Sequence, residues 1–296
     1  MLYTILRAFH AVSENGSFSR AAEALQVSQP TISAQVRELE QRYSVTLFER
    51  RSRGVETTEI GLRLRAVTSR LFASESDAEE LLTEAEGLSH GRLRIGADSP
   101  YLVVPLLGTF RRRHPGIQFS ITFGNSEELL TSLMERRVDV AVLPEVEHDS
   151  RLHTVVVRRD RIVALVPVGH ALARRRQLGL PELCEHSLIL REIGSRTRFV
   201  FESAVKQAGL RLGATLEIGS REGVREAAAA SLGIGIIAQS EVGADTRLRT
   251  VPIAGASLAL TEYAASIAER RGVRVVRAFL ELVAEQRVAP EQTRQR

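Results

Sequence analysis

A short segment near the N-terminus places small, polar and basic side chains where they could contact DNA. Ser28 can cap a helix and Pro30 suits its first turn, so a helix is expected to begin here. Its apolar positions recur at Ile32, Val36 and Leu39, so the remaining residues form an opposite face. Small residues permit close approach to a major groove, and hydroxyl, amide and guanidinium groups can bond base edges. The candidate contacts are Ser28, Gln29, Pro30, Thr31, Ser33 and Arg37, although an ordinary solvated helix face would have a similar composition.

A basic hairpin is predicted directly after this helix. The run 50–54 ends in a turn glycine and carries three candidate phosphate-binding or minor-groove contacts, Arg50, Arg51 and Arg53. The whole chain has 40 basic and 36 acidic residues, a net charge of +4. Because this balance is nearly even, the position of the arginines rather than the total charge favours a polyanionic partner.

A second group of polar residues follows the predicted strands of the rest of the chain. In open α/β sheets, ligands bind beside the carboxyl ends of the strands. Each residue alone could merely cap a helix, but together they predict a ligand cleft. The candidate effector-binding residues are Asp98, Ser99, Tyr101, Asn125, Ser126, Glu145, Glu192, Ser195, Arg196, Thr197, Arg198, Ser220, Arg221 and Glu222.

The charges in this group indicate what the cleft could bind. The helix start at 194–198, with two guanidinium groups, would form an anion cradle. Four carboxylates could hold a cation: Asp98, Glu145, Glu192 and Glu222. Charges of both signs suggest a small zwitterion, and the alternative is self-paired charges around a simple anion.

A long helix is predicted between these two groups of residues. From Thr58 to Leu88, apolar residues alternate in steps of four and three, which is typical of a coiled-coil seam. The seam consists of Ile60, Leu64, Val67, Leu71, Ser74, Ala78, Leu81, Ala85 and Leu88. It predicts a homodimer, and the alternative is a helix that packs on its own chain. Ser89-His90-Gly91 would end the helix and act as a hinge.

The C-terminal pattern alternates strands and helices, which predicts a parallel α/β sheet. Strands are expected at 93–97, 117–123, 138–142, 161–167, 188–190, 216–218 and 234–237. Helices are expected at 103–113, 127–136, 198–208, 221–230 and 272–286, with Pro105 in the first turn of the earliest one. The predicted domains are 1–58, a linker helix 59–89, and 90–296. This last domain has one lobe at about 92–160 plus 264–288 and another at about 161–263.

Several classes of protein do not fit the sequence. A single cysteine, Cys184, excludes an internal disulfide, and neither a signal-peptide layout nor a bilayer-length apolar run is present. We therefore expect a cytoplasmic protein that does not bind a membrane. Nucleotide, zinc and hydrolase motifs are absent, so catalytic residues, metal sites and cofactors are not predicted. A solute-binding protein or an enzyme would leave the N-terminal segment unexplained.

The segment from Gly16 to Ser33 resembles the helix-turn-helix of the LysR family of bacterial transcriptional regulators. Leu47-Phe48-Glu49-Arg50 and Thr57-Thr58-Glu59-Ile60-Gly61 are similar to the wing and the linker start of that family. The resemblance implies a winged helix-turn-helix followed by two α/β lobes of the type II periplasmic-binding-protein fold. It also implies base contacts from Gln29, Pro30, Thr31 and Ser33, with Arg37 and the wing arginines near the backbone.

The same resemblance implies partners. They are double-stranded operator DNA with an inverted repeat and a T-N11-A core, a small-molecule effector, and further copies of the chain as a dimer of dimers. RNA polymerase is a further candidate partner. The segments 219–226, 233–236 and 261–263 resemble the subgroup associated with aminoethylphosphonate catabolism. Another small organic acid remains an alternative effector.

Overall fold

The chain divides into two compact units in a computed structural model that describes residues 2–51, 54–82, 91–146, 149–254 and 258–286. The described N-terminal unit consists of helices and a hairpin: α1 (Leu2–Asn15), α2 (Phe18–Leu25), α3 (Gln29–Tyr43), β1 (Phe48–Arg51), β2 (Gly54–Thr57) and α4 (Glu59–Leu82). The predicted end of the linker helix at Leu88 and most of the predicted hinge lie outside the described residues. Gly91 belongs to a strand of the second unit and not to a hinge.

Local capping signals explain the helix starts of the N-terminal unit. Ser17 accepts a hydrogen bond from the Arg20 N–H. Ser28 accepts one from the Thr31 N–H, which confirms the cap predicted at Ser28. The apolar faces of α1, α2 and α3 then pack around a shared core. Phe48 of β1 joins this core, with its ring centroid 5.3 Å from that of Phe9.

The described C-terminal unit alternates strands and helices. Its elements are β3 (Gly91–Ala97), α5 (Pro100–Arg113), β4 (Ile117–Phe123), α6 (Ser126–Met134), β5 (Val140–Pro144), β6 (Leu152–Pro167), β7 (Leu178–Gly179), α7 (Leu180–Cys184), β8 (Leu188–Arg191), α8 (Arg196–Gln207), β9 (Thr215–Ile218), α9 (Arg221–Ala229), β10 (Ile234–Ala238), β11 (Leu248–Ala254), β12 (Ala259–Ile267) and α10 (Arg274–Glu285).

The sheet is mixed, so the prediction of a parallel sheet is wrong for its centre. Within one lobe β4, β3 and β5 are parallel, and within the other β9, β8 and β10 are parallel. Between the lobes run β6 and β12, which are antiparallel to each other. The first half of β6 pairs with β12 and the second half with β10 and β11, so this strand crosses from one lobe to the other.

Two predictions of local structure are corrected. The helix expected at 103–113 begins at Pro100, because Ser99 takes the N-cap position and Pro100 the first helical position. Pro105 therefore lies inside the helix rather than in its first turn. The expected strand at 161–167 is only the second half of β6, because the charged run before it masks the strand pattern.

Each lobe has its own hydrophobic core. In the first lobe α5 and α10 cover the sheet, and the rings of Phe110 and Phe279 meet edge to face at 5.4 Å. In the second lobe α7 and α8 cover one face of the sheet and α9 covers the other. None of the helices in the described ranges is long and apolar enough to cross a membrane.

Candidate functional site

The surface predicted to contact DNA is exposed on α3. Gln29, Pro30, Thr31 and Arg37 are exposed and Ser33 is half-buried, whereas the core positions of the same helix are buried. The hydroxyl group of Ser28 lies 2.7 Å from that of Thr31 and also caps the helix. The first turn therefore presents amide and hydroxyl groups in a fixed arrangement, as a helix that reads base edges requires.

A partly buried contact holds α3 against the hairpin. Glu40 Oε1 accepts hydrogen bonds from the Leu47 and Phe48 N–H groups at 2.7 and 3.3 Å. Hydrogen bonds from backbone N–H groups to a carboxylate are among the stronger ones, so they set the position of the strand β1 relative to α3. The side chains of Arg50 and Arg51, and the whole of Arg53, lie outside the described residues.

The C-terminal unit has a cleft between its two lobes. It encloses about 520 Å³, within the range of roughly 300–1,000 Å³ that is typical of small-molecule sites. Loops after β3 and β4 form one wall, and β8 with the start of α9 forms the other. The lining residues are Asp98, Pro100, Phe123, Gly124, Asn125, Glu128, Arg191, Glu192, Gly219, Ser220, Arg221 and Glu222.

The two walls approach each other closely at the rim of the cleft. Gly194 has a positive φ of 91°, and a Cβ at this position would lie 3.1 Å from the Asn125 side-chain amide. Glycine therefore allows the loop after β8 to meet the loop after β4. Across the same cleft, Arg225 donates a hydrogen bond to the Tyr101 hydroxyl at 3.2 Å.

Six of the predicted effector-binding residues line the cleft. They are Asp98, Asn125, Glu192, Ser220, Arg221 and Glu222. Asn125 and Ser220 also cap helices, since their side chains accept hydrogen bonds from the N–H groups of Glu128 and Gly223 at 3.0 Å each. The other predicted residues lie outside this lining: Ser99, Tyr101, Ser126, Glu145, Ser195, Arg196, Thr197 and Arg198.

The predicted anion cradle at the start of α8 does not contribute to the lining of the cleft. The guanidinium group of Arg198 bonds Glu202 at 2.8 Å and Glu217 at 2.5 Å, so two carboxylates already neutralise it. The guanidinium carbon of Arg196 lies 4.5 Å from the ring centre of Phe199. The cations that line the cleft are instead Arg191 and Arg221, of which only the second was predicted.

Ion pairs also correct the predicted cation-binding carboxylates. Glu192 is bound by Arg191 in two hydrogen bonds of 2.7 Å. Asp98 Oδ2 lies 3.0 Å from Nη2 of Arg221, which also bonds Glu241. Glu145 accepts a hydrogen bond from the Thr261 N–H outside the cleft lining. Of the four predicted carboxylates, Asp98 and Glu192 are thus paired with arginines of the cleft.

Sequence reasoning missed the buried charges beneath the cleft. Glu241 and Glu262 are almost fully buried, and Arg158 faces Glu262 across the paired strands β6 and β12. Arg191 could have been found, because it is a charged residue at the carboxyl end of the apolar strand 188–190. Glu241 carries no such signal, since only the fold brings it to Arg221.

Burial dominates the titration of the acids at this site. It raises the pKa of Asp98 to about 7, against the opposing effect of Arg221. It also raises the pKa of Glu262, and the neighbouring carboxyl groups of Asp98 and Glu241 add to the effect. Burial acts on Glu192 in the same direction, but the hydrogen bonds from Arg191 outweigh it and lower the pKa.

Comparison with known proteins accounts for both units. Residues 4–62 match the bacterial regulatory helix-turn-helix proteins of the lysR family, and residues 86–287 match the LysR substrate binding domain. The chain belongs to the LysR family. As a LysR-family member it is a DNA-binding transcriptional regulator with an effector-binding domain, and not an enzyme.

Relatives and solved structures agree with this assignment. The chain is 32% identical to a RuBisCO operon transcriptional regulator of Allochromatium vinosum, over 78% of each chain. Its fold is similar to that of a full-length OxyR variant from Pseudomonas aeruginosa, with a TM-score of 0.77 and 23% identity over 100% of this chain and 99% of that one.

A third comparison concerns the C-terminal unit. The regulatory domain of CcmR from Synechocystis PCC6803, solved in complex with 2-PG, gives a TM-score of 0.62 at 24% identity and covers 66% of this chain and 97% of that one. This similarity shows the fold alone. The relative from Allochromatium vinosum is named for the RuBisCO operon and not for phosphonate metabolism, so the aminoethylphosphonate subgroup stays a prediction.

Proposed function

We propose that this LysR-family regulator binds a small zwitterion in the cleft and that this binding controls transcription from an operator contacted by α3 and the hairpin. The mixed charge of the cleft carries the proposal. Two guanidinium groups and four carboxyl groups line it: Arg191, Arg221, Asp98, Glu128, Glu192 and Glu222. We retain residues 1–58, 59–89 and 90–296 as the DNA-binding, linker and effector domains.

The first candidate effector is 2-aminoethylphosphonate. It combines an anionic group, which the N-terminus of α9 would attract, with an amine for the carboxylates. The resemblance of segments 219–226, 233–236 and 261–263 to the phosphonate subgroup supports this choice. A regulator that meets chromosomal DNA and RNA polymerase would act in the cytoplasm.

The second candidate is a small acid without an amine. The CcmR regulatory domain, which shares this fold, was solved in complex with 2-PG, and that observation favours an anion. Thermal unfolding of the full chain with each ligand separates the candidates. A ligand at about one hundred times its Kd should stabilise the folded protein by about 2.7 kcal/mol. A shift with 2-PG and none with 2-aminoethylphosphonate would reject 2-aminoethylphosphonate and favour the acid.

The exposed face of α4 supports a homodimer. Three residues of the predicted seam are large and apolar yet well exposed: Ile60 at 43%, Val67 at 51% and Leu71 at 42%. Thr68, Ser69 and Ala73 of the same helix are buried. We expect Leu71→Glu to shift the chain towards monomers in sedimentation velocity. An unchanged sedimentation coefficient would argue against the seam as the dimer interface. We propose a dimer of dimers as the complete assembly.

The proposed DNA surface is tested with two arginines of the same helix. Arg37 lies on the predicted contact face, whereas Arg42 lies in the last turn against Tyr43. On the fragment upstream of this chain's own gene, Arg37→Ala should weaken binding by about 1–3 kcal/mol if it contacts a base. If Arg37 contacts a phosphate instead, Arg37→Ala should reduce the slope of log K against log salt concentration by about one. An equal loss in Arg42→Ala would refute the assigned face.

A further inference from the structure

Asp98 differs from the other acids that line the cleft. Its side chain is only 7% exposed, and Oδ2 is paired with Arg221. Its other oxygen, Oδ1, is buried and has no hydrogen-bond partner among the described residues. An ionised carboxylate accepts hydrogen bonds on both oxygens, and a buried oxygen without a donor is costly. Oδ1 is therefore an acceptor that a bound molecule could satisfy.

The charges around Asp98 leave an excess of negative groups. Charged groups from five elements act electrostatically on it or respond to its charge. They are Arg221 from α9, Glu241 from the turn after β10, Arg191 from β8, Arg158 from β6 and Glu262 from β12.

Each of these cations already has another carboxylate. Arg221 is shared with Glu241, Arg191 bonds Glu192, and Arg158 lies 3.6 Å from Asp160. Five carboxyl groups thus face three guanidinium groups. An uncompensated buried carboxylate must bind a proton or another cation.

We propose that Asp98 is the acceptor for an ammonium group of the effector, which takes the place of a proton on this carboxyl group. The inference rests on the proposed function, namely that a small molecule binds in the cleft. An ammonium group fits because it is a compact cation with three donors and can approach a single oxygen. The proton released from Asp98 passes to the solvent.

The direction of the pH dependence separates an amine from a simple anion. Because burial raises the pKa of Asp98 to about 7, this group is mostly neutral at pH 6 and mostly ionised at pH 8. An ammonium group needs the ionised form, so its binding should strengthen as the pH rises. A simple anion is repelled by the ionised form, so its binding should weaken.

Titration calorimetry on the full chain tests this with a matched pair of ligands, 2-aminoethylphosphonate and ethylphosphonate. Both ligands carry a phosphonate group, so the ratio of their Kd values in the wild type, divided by the same ratio in Asp98→Asn at the same pH, isolates the contact between the amine and Asp98. Between pH 6 and pH 8 this quotient should grow at least about tenfold, because the ionised fraction of Asp98 does.

Variants then assign the effect to one residue. Asp98→Asn should abolish both the preference for the amine and its pH dependence. Glu127→Gln, which removes an exposed acid outside the cleft lining, should retain both. Equal affinity for the two ligands in the wild type, or a preference that survives in Asp98→Asn, would overturn the inference while the effector cleft stands. If neither ligand bound, both the phosphonate effector and the ammonium site would be refuted. Heat of binding measured with 2-PG in that case would still support a ligand-controlled regulator.

Discussion

The start of α4 provides a sharp test of packing in the DNA-binding unit. A Cβ on Gly61 would lie 2.4 Å from the Leu47 carbonyl oxygen and 2.6 Å from Thr57 Cγ2. The carbonyl oxygen belongs to the backbone and cannot rotate away, so Gly61→Ala must displace the helix or the strand. Overpacking of this kind costs about 1–3 kcal/mol, and replacing a helical glycine recovers up to about 1 kcal/mol. With the full gain subtracted, we expect a net loss of up to about 2 kcal/mol in the free energy of unfolding.

The matched control is Gly108→Ala in α5. The nearest atom to its Cβ would be the end of the Arg112 side chain at 3.8 Å, an ordinary contact. This variant should therefore gain up to about 1 kcal/mol from helix propensity alone. Calorimetry of the full chain measures both variants. Each kcal/mol shifts the melting temperature by about 4–8 °C in the smaller N-terminal unit and by about 2–4 °C in the larger C-terminal unit. If Gly61→Ala raised the melting temperature as Gly108→Ala does, the inferred close approach would be refuted.

Three further predictions concern stability. Ser28→Ala removes the acceptor of the Thr31 N–H and should cost about 1 kcal/mol in urea unfolding, and no change would show that the cap is dispensable. Asp139→Asn removes a buried charge that pairs with Arg94 at 2.7 Å and with the buried Arg270 at 3.1 Å. It should cost about 3 kcal/mol, so a loss below that of the Ser28 variant would contradict the pairing. Without ligand, the pKa of Asp98 is about 7 in the folded protein and about 3.8 in the unfolded chain. Between these two pH values the folded state binds more protons than the unfolded state, so the stability of the wild type should fall as the pH rises from about 3.8 to about 7. Asp98→Asn should lack this component of the fall, and identical pH profiles would refute the raised pKa.

Much of the DNA-binding unit could be predicted from the sequence because its determinants are local. The caps at Ser17 and Ser28 act within three residues, and the apolar spacing of Ile32, Val36 and Leu39 defines the buried face of α3. In the C-terminal unit, the limits of β4 agree with those expected from its alternating pattern, 117–123. The loops after the strands could likewise be nominated as a ligand site, because parallel strands place their carboxyl ends at one edge.

The tertiary structure alone decided which charges meet in the cleft. Arg198 looks like an anion ligand in the sequence, yet Glu217, nineteen residues away, neutralises it. Arg221 is flanked by Asp98 and Glu241, which are distant in the chain and come together only when β6 and β12 cross between the lobes. A sequence shows the type and local spacing of a charged residue, whereas its burial and its partners depend on long-range contacts. Those contacts shift the pKa of Asp98. They also distinguish its Oδ2 atom, which is paired with Arg221, from its Oδ1 atom, which can receive a ligand.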